Sequence, residues 1–261
     1  MATAMAAAEF PAPDLAPYTP AQIHFAIEAW PMRAAQELRS ARIFRALARA
    51  ARASATPEPW PARFADAMRD EIRHARLCTA IGARLGATKP RHDASPVRAR
   101  LAGLQDDPWS RTLALLLVEV AVGETISLCL FRTGRKASIE PLSRAVLGLI
   151  TTDEARHARL GWTGLDALWP RLTEAQRADA QREAARGLAS CEQQNARPAM
   201  AWLQQKRAFD PAYAALGVID PAVRIETFYW AVERLVVPRL TRLGLDGARA
   251  WADRYRERAT G

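Results

Sequence analysis

The stretch Asp70-Glu-Ile-Arg-His-Ala-Arg-Leu77 returns, with one position changed, as Asp153-Glu-Ala-Arg-His-Ala-Arg-Leu160. Seven of the eight positions are identical, and two of the chain's four histidines stand at the same place in both copies. A composition rich in Ala and Arg can repeat those residues by accident, but it does not readily repeat Asp-Glu and His with them. Each copy contains Glu-x-x-His: Glu71 with His74, and Glu154 with His157. On a helix, positions i and i+3 share a face about 5–6 Å apart, so a carboxylate and an imidazole can point at one ion. Two such helices facing each other supply places for two ions.

The surrounding sequence is helical in character. Ala, Leu, Arg, Glu and Gln dominate, no sustained alternation is present, and no Asn-Gly or Asp-Gly joins two β-branched runs. Thr19-Pro20 reads as an N-cap with Pro in the first turn, opening a short helix to about Trp30. Pro31 is expected to open a second helix to about Ala53, followed by a third from about 61 to 86. Residues 87–107, with Pro90, Pro96 and Gly103, read as a mostly irregular connection. Helices are then expected over about 108–131, about 140–166, and from the Thr173-Glu-Ala-Gln176 capping box to about Ala196. Pro211 and Pro221 bracket a loop before a last apolar helix over about 222–243 and a short tail helix. Three regions follow: an Ala/Pro-rich extension over 1–30, mobile over 1–18; a four-helix bundle over 31–166; and a helical extension over 167–261 that packs on it.

A dinuclear site needs bridging carboxylates from two further helices. Glu37 occupies the arm of the hairpin that precedes Glu71, on a face of Ala34, Ala41, Phe44 and Ala48 where a lone carboxylate is costly to bury. At a rise of about 1.5 Å per residue, the chain climbs from Glu37 and descends to Glu71 by nearly equal lengths, which returns both to one level. Across the other hairpin, Glu124 stands in the same relation to Glu154, among Leu117, Val120, Ala121, Leu128 and Phe131. Glu119, with Leu115, Leu116, Val122 and Ile126 around it, is an equally apolar rival, and helical geometry does not separate the two.

One Glu from each of two helices plus Glu-x-x-His from each of two others is the ligand set of ferritin-like dinuclear carboxylate proteins. The Asp-Glu-x-Arg-His form resembles the oxygen-activating branch of that superfamily: multicomponent monooxygenases, the small subunit of ribonucleotide reductase, and amine- or hydroxyl-forming di-iron oxygenases. Glu37-Leu-Arg-Ser-Ala-Arg-Ile-Phe44, the two repeats, Val122-Gly-Glu-Thr125 and Ala231-Val-Glu-Arg-Leu-Val-Val-Pro238 resemble a bacterial family of uncharacterised ferritin-like domain proteins. The resemblance covers about 34–165 well, the C-terminal third weakly and the extension over 1–30 not at all. It implies Glu37, Glu71, His74, Glu124, Glu154 and His157 as metal ligands, with Glu124 chosen over Glu119 because the family pattern uses the Glu of Gly-Glu-Thr. It also implies that Asp153 supports His74 and Asp70 supports His157 across the bundle, with Arg73 and Arg156 neutralising those aspartates.

Composition narrows the rest. A chain of 261 residues with 49% hydrophobic and 25% charged residues can bury a sizeable core. Its longest uncharged apolar run, Leu113–Val118, is too short to span a bilayer, so no membrane partner is expected. The N-terminus has no basic or leucine-rich leader. Three cysteines, Cys78, Cys129 and Cys191, without CxxC argue for a reduced, cytoplasmic setting and against a disulfide scaffold or zinc ribbon. The net charge of +9 is carried almost wholly by Arg, with only Lys89, Lys136 and Lys206 as lysines. We read that bias as compositional, and no nucleic-acid partner is expected. The stripe Arg42, Arg45, Arg49 and Arg52 reads as a solvated face, with docking of an acidic carrier or electron donor as the sharper alternative. His24 and His92 read as surface residues, Cys78 as core, and Phe228-Tyr229-Trp230 as packing for the last helix.

These readings converge on an all-α, ferritin-like non-haem di-iron oxygenase. Two iron ions would activate O2 to oxidise a small or carrier-bound organic substrate, with an electron-donor protein as a further partner. Ferroxidase-type iron handling, and a manganese site that disproportionates peroxide, use the same donor types.

Overall fold

The computed structural model describes residues 13–87, 95–205 and 209–256. Among these residues every regular element is helical. The first helix, α1 (Pro20–Ala53), starts at the Thr19 capping box, where Thr19 Oγ1 accepts from the Gln22 amide and Gln22 Oε1 accepts from the Thr19 amide. It does not stop at Pro31, contrary to the sequence expectation, and runs on as one helix of 34 residues. A proline inside a helix forfeits one backbone bond and costs about 3 kcal/mol. Here the flanking turns are fixed by burial of Ala26, Trp30 and Ala34, and Trp30 Nε1 donates to the Leu216 carbonyl at 3.0 Å. Gly82 of the next helix leaves room for the Pro31 ring, since an added Cβ there would already be in contact with it at 3.5 Å. The segment expected as an N-terminal extension therefore forms, from Pro20 onward, the first turns of a bundle helix.

Helix α2 (Trp60–Arg84) folds back along α1. The connection to the second half holds a short helix, α3 (Ser95–Ala102), where an irregular run was expected. Val97 and Leu104 anchor it in the core, and Arg100 reaches the interior. His92 and residues 88–94 lie outside the described residues, as do residues 1–12 of the N-terminal stretch. The third bundle helix has three parts: α4 (Pro108–Ala114), a π-helical segment (Leu115–Gly123) and α5 (Glu124–Ala137). The fourth is α6 (Pro141–Leu168), capped by Glu140, whose carboxylate accepts from the Leu142 and Ser143 amides.

The third helix also corrects an expectation. Over Pro108–Ala137 it is long and apolar enough to cross a membrane, although it contains no long uninterrupted apolar run. In this fold 67% of its most apolar window is buried inside the protein, which is how the core helix of a bundle meets the same criterion. What buries it comes from both sides. On α6, Gly161 lies so close that an added Cβ would fall 2.6 Å from the Ala121 backbone. On α7 (Glu174–Asn195), Gly187 is equally tight against Val118.

Helix α8 (Arg197–Gln204), a 3-10 turn (Pro211–Leu216), α9 (Pro221–Ala231), a short π segment (Val232–Val236), α10 (Val237–Leu243) and α11 (Gly247–Asp253) complete the chain. Of the aromatic run on α9, Phe228 is fully buried and Tyr229 donates to Glu192 at 2.5 Å, but Trp230 is 53% exposed and takes no part in that packing. Arg45, Arg49 and Arg52 lie exposed on α1 with Arg42 half-buried, and His24 is exposed beside Glu28.

Candidate metal centre

Six ionisable side chains converge in the middle of the bundle: Glu37 from α1, Glu71 and His74 from α2, Glu124 from α5, and Glu154 and His157 from α6. None is more than 5% exposed. Their donor atoms form two groups able to hold an ion each, Glu37–Glu71–His74–Glu154 and Glu71–Glu124–Glu154–His157, with the atoms of each group within 4.8 Å of one another. The two groups share Glu71 and Glu154. The carboxylates placed to bridge thus come from the repeats themselves, while Glu37 and Glu124, expected to bridge, each belong to one group only. Each repeat glutamate lies centrally because its helix faces the opposite repeat across the bundle axis.

The alternative Glu119 belongs to neither donor group, although it lines the same cavity as Glu37, Glu124 and Glu154. Its carboxylate accepts from Arg39 and from Arg100, each at 2.9 Å, and these two cations hold it below the usual carboxylate range despite burial. The π-helical segment contains Glu119 and ends immediately before Glu124. Such wide turns often mark functional sites, and here α5 begins with Glu124 turned into the cluster.

Behind the histidines stand the two aspartates. His74 Nε2 is 3.0 Å from Asp153 Oδ2, and His157 Nε2 is 3.2 Å from Asp70 Oδ2. Each Asp is reached by both arginines: Arg73 bonds Asp70 at 2.9 Å and also Asp153, and Arg156 bonds Asp70 at 3.3 Å and also Asp153. With Nε2–H donated outward, each ring turns Nδ1 inward as a free donor atom. His74 Nδ1 lies 3.3 Å from Glu37 and 3.5 Å from Glu154. His157 Nδ1 lies 2.9 Å from Glu71 Oε1 without the alignment of a hydrogen bond.

The electrostatics are those of crowded, dehydrated acids. Burial, then the neighbouring Glu154, pushes the Glu71 and Glu124 carboxyls far above their ordinary range. Burial acts on Glu154 in the same sense, but the neighbouring His157, His74 and Glu124 side chains outweigh it and hold that carboxylate ionised. Burial disfavours charge on both imidazoles, yet the neighbouring carboxylates of Asp153, Glu154 and Glu37 raise His74, and those of Asp70, Glu154 and Glu71 raise His157.

The residues fit a pair of divalent cations. Glu71 Oε1, Glu154 Oε2 and His157 Nδ1 are buried and have no hydrogen-bond partner among the described residues, which is costly unless another group meets them. The four carboxylates supply four negative charges, which two divalent ions balance, with two neutral imidazoles completing the set.

A cavity of about 110 Å³ opens on this cluster, lined by Glu37, Glu124 and Glu154. Its other walls include Gln36 and Ser40 of α1, Ser127 of α5, and Ser190, Gln194 and Asn195 of α7. Sequence reasoning missed the α7 residues. Their polar spacing reads as a solvated helix face, and the packing of α7 on the core through Ala184 and Leu188, with Gly187 close against Val118, brings that face to the site. Cys78 is fully buried, and burial raises its thiol strongly.

A family model described as p-aminobenzoate N-oxygenase AurF matches residues 25–239. That span is most of the chain, and the chain belongs to this family of ferritin-like di-iron oxygenases. No curated protein matches the chain in sequence. Among solved structures, Protein 19 with aldehyde deformylating oxidase activity from Synechococcus superposes with a TM-score of 0.60 at 17% identity. The match covers 93% of this chain and 98% of that one, and it places the fold among the ferritin-like bundles.

Proposed function

We propose that this member of the AurF family holds two iron ions between its repeats and uses O2 to oxidise a small organic substrate. The observation that carries the reading is the pair of buried donor groups sharing Glu71 and Glu154. Glu37 and His74 would complete one ion's set, and Glu124 and His157 the other's. When bound, such a pair supplies electrons to O2 and an oxidant for the substrate. Oxygen-rich ligands suit iron in this role.

The chain's own residues prepare that chemistry. Asp153 and Asp70 fix the histidine tautomer, and the bonds to His74 and His157, with Arg73 beside both aspartates and Arg156 beside Asp153, keep the two aspartates ionised. Phe44, 5.3 Å from the His157 ring, and the surrounding aliphatic core exclude water. The cavity between α1, α5 and α7 gives the substrate its approach to Glu37 and Glu124. Turnover requires an electron donor, and the three cysteines, none in a disulfide, support a reducing cytoplasmic setting.

Metal analysis of protein purified without chelators, followed by O2 exposure of the anaerobic ferrous form, tests the reading. About two irons per chain, retained through repeated oxidation with a transient optical intermediate, are expected. Iron accumulating far beyond that in a large hollow assembly would make the protein a store. Manganese in place of iron would move it toward peroxide chemistry. Amine N-oxygenation, the activity in the family's description, is the first substrate reaction to assay.

A further inference from the structure

Two recesses along the exposed side of α6 carry a surplus of positive charge. The larger, of about 580 Å³, is lined by Leu128, Trp162, Leu235 and Leu243 and by four arginines: Arg132 of α5, Arg159 of α6, and Arg239 and Arg242 of α10. Asp166 is the carboxylate among its lining residues. The four arginines form no ion pair among the described residues, and Arg239 lies 5.4 Å over the Trp162 ring. The smaller recess, of about 300 Å³, shares Arg159 and Thr163 with the first, so the two adjoin, and it adds Arg63 of α2 and Arg156. Its two carboxylates are already engaged, Asp66 by Arg69 and Asp70 by Arg73 and Arg156.

Both recesses reach the donor groups from outside. In the larger, Thr125, Ala155 and Ala158 directly follow Glu124, Glu154 and His157 in sequence, and Trp162 Nε1 donates to Thr125 Oγ1 at 2.8 Å. In the smaller, Asp70 and His157 themselves line the space, 3.2 Å apart. Neither recess shares a lining residue with the approach cavity between α1, α5 and α7. The cluster therefore meets a molecule-sized approach on one side and a basic surface on another. A run of arginines with few acidic neighbours attracts and orients a partner of opposite charge.

We propose that this basic face docks an acidic one-electron carrier protein, which passes electrons to the cluster from the side of Asp70 and His157, an inference that rests on the proposed function above. It puts the docking place of the reductant here and not on the Arg42, Arg45, Arg49 and Arg52 stripe of α1. Each encounter oxidises the carrier by one electron and reduces one ion of the pair by one, so two encounters restore the ferrous pair, and no bond is made or broken in the transfer. A protein that carries substrate would have to present its cargo to the approach cavity, with which this face shares no residue. A small anion has room in the larger recess but leaves the arginines of the smaller one unmet. An acidic protein surface covers both.

Isothermal titration of the full-length protein with a plant-type [2Fe–2S] ferredoxin, an acidic one-electron carrier, tests the assignment. Binding is expected at low salt and should weaken at least about tenfold on raising salt to about 0.2 M. The triple variant Arg63→Glu, Arg132→Glu, Arg242→Glu, which spans both recesses at exposed positions, should weaken it at least about tenfold. Arg45→Glu, Arg49→Glu, Arg52→Glu makes the same change of net charge on α1 and should weaken it less than about threefold. No binding at low salt, or a loss in the α1 variant as large as in the first, would overturn the docking face. If the first variant is misfolded by circular dichroism, Arg63→Gln with Arg242→Gln, expected to cost about threefold, decides. FMN that binds more tightly than the ferredoxin and displaces it would overturn the choice of a protein partner. In the iron-loaded protein, anaerobic reduction by reduced ferredoxin should slow at least about tenfold in the first variant, while reduction by the methyl viologen radical keeps its rate. Equal slowing of both would overturn electron entry at this face. Metal content measured on the same samples separates the two readings. Selective docking on protein that holds no metal defeats the proposed function alone, and two irons per chain without selective docking defeat the basic face alone.

Discussion

The two halves of the bundle carry nearly identical octapeptides yet deliver their second glutamate by different backbones. In the α1–α2 half, Glu37 comes from a regular α-helix, and His74 Nδ1 finds Glu37 at hydrogen-bonding distance. In the other half, Glu124 follows a π-helical segment, and His157 Nδ1 has no hydrogen-bond partner among the described residues. The side-chain chemistry is duplicated, and the local backbone is not. The half with the irregular helix also borders the cavity wall supplied by α7, so the departure from symmetry lies where an incoming molecule would arrive.

The sharpest way to break this comparison is to remove a shared glutamate and an unshared one. Glu71→Ala or Glu154→Ala should take metal content from about two per chain to near zero, because each serves both donor groups. Glu37→Ala or Glu124→Ala should leave about one, read by elemental analysis. Equal loss from all four variants would show that the two positions do not fill independently.

Next in size is the behaviour of the outer carboxylates. Asp153→Asn and Asp70→Asn keep the shape but weaken the hold on His74 and His157, and should lower metal affinity by about 10–100-fold. Competition with a chelator checks this, and a difference between the two variants would say which half is the tighter.

Glu119 and Glu124 make a third contrast, little more than one helical turn apart in sequence. Glu119→Ala should leave metal content unchanged while destabilising the fold by about 1.5–3 kcal/mol, since Arg39 loses its carboxylate and Arg100 keeps only Glu183. Chemical denaturation measures it. Loss of metal in this variant would return Glu119 to the site.

The smallest effect is a pH slope. His74 and His157 are raised above their ordinary 6.5, so the stability they contribute to the metal-free protein is fully present below that value and is lost as pH rises through their folded values. Glu71 and Glu124 act in the same sense. The lowered Asp70, Asp153 and Glu154 act in the opposite sense, losing stability in acid. Melting of the chelator-treated protein should therefore fall in temperature as pH rises above 4.5, where Glu71 and Glu124 begin to lose their contribution, and more steeply above 6.5, where the histidines add theirs, while the metal-loaded form, with its ligands already deprotonated, should pull further ahead. Parallel curves would mean the cluster does not take up the metal.

Much of this site is legible from residue order, because a near-exact repeat at hairpin spacing survives any uncertainty in helix ends. Glu71, His74, Glu154 and His157 are found that way, and the apolar company of Glu37 marks it as a carboxylate needing a purpose. Glu119 and Glu124 are not separable by a wheel of about 100° per residue, since the wide turns of Leu115–Gly123 break the period on which the wheel depends. Pro31 misleads for another reason. Its local cost is real, but it is outweighed by contacts from Trp30 to Leu216, far along the chain. The central place, common to both donor groups, falls to Glu71 and Glu154 rather than to Glu37 and Glu124 because spacing fixes the level of a side chain and not its distance from the bundle axis. Ser190, Gln194 and Asn195 stay hidden because what brings them near is the packing of α7 on the core through Ala184 and Leu188, with Gly187 close against Val118.

The buried helix Pro108–Ala137 has a consequence for how the chain is made. It leaves the ribosome before α6 and α7 exist to cover it, and α7 is finished only at Asn195. For the time needed to add those residues, several seconds at about 5–20 residues per second, the nascent chain displays a bilayer-length greasy segment interrupted by two glutamates. A chain halted before α7 should be a client of holding chaperones or partition into inclusion bodies more than the finished chain, which co-sedimentation of the two would measure. The segment that assembles the centre is thus also the one that makes every unfinished copy hazardous to the cell.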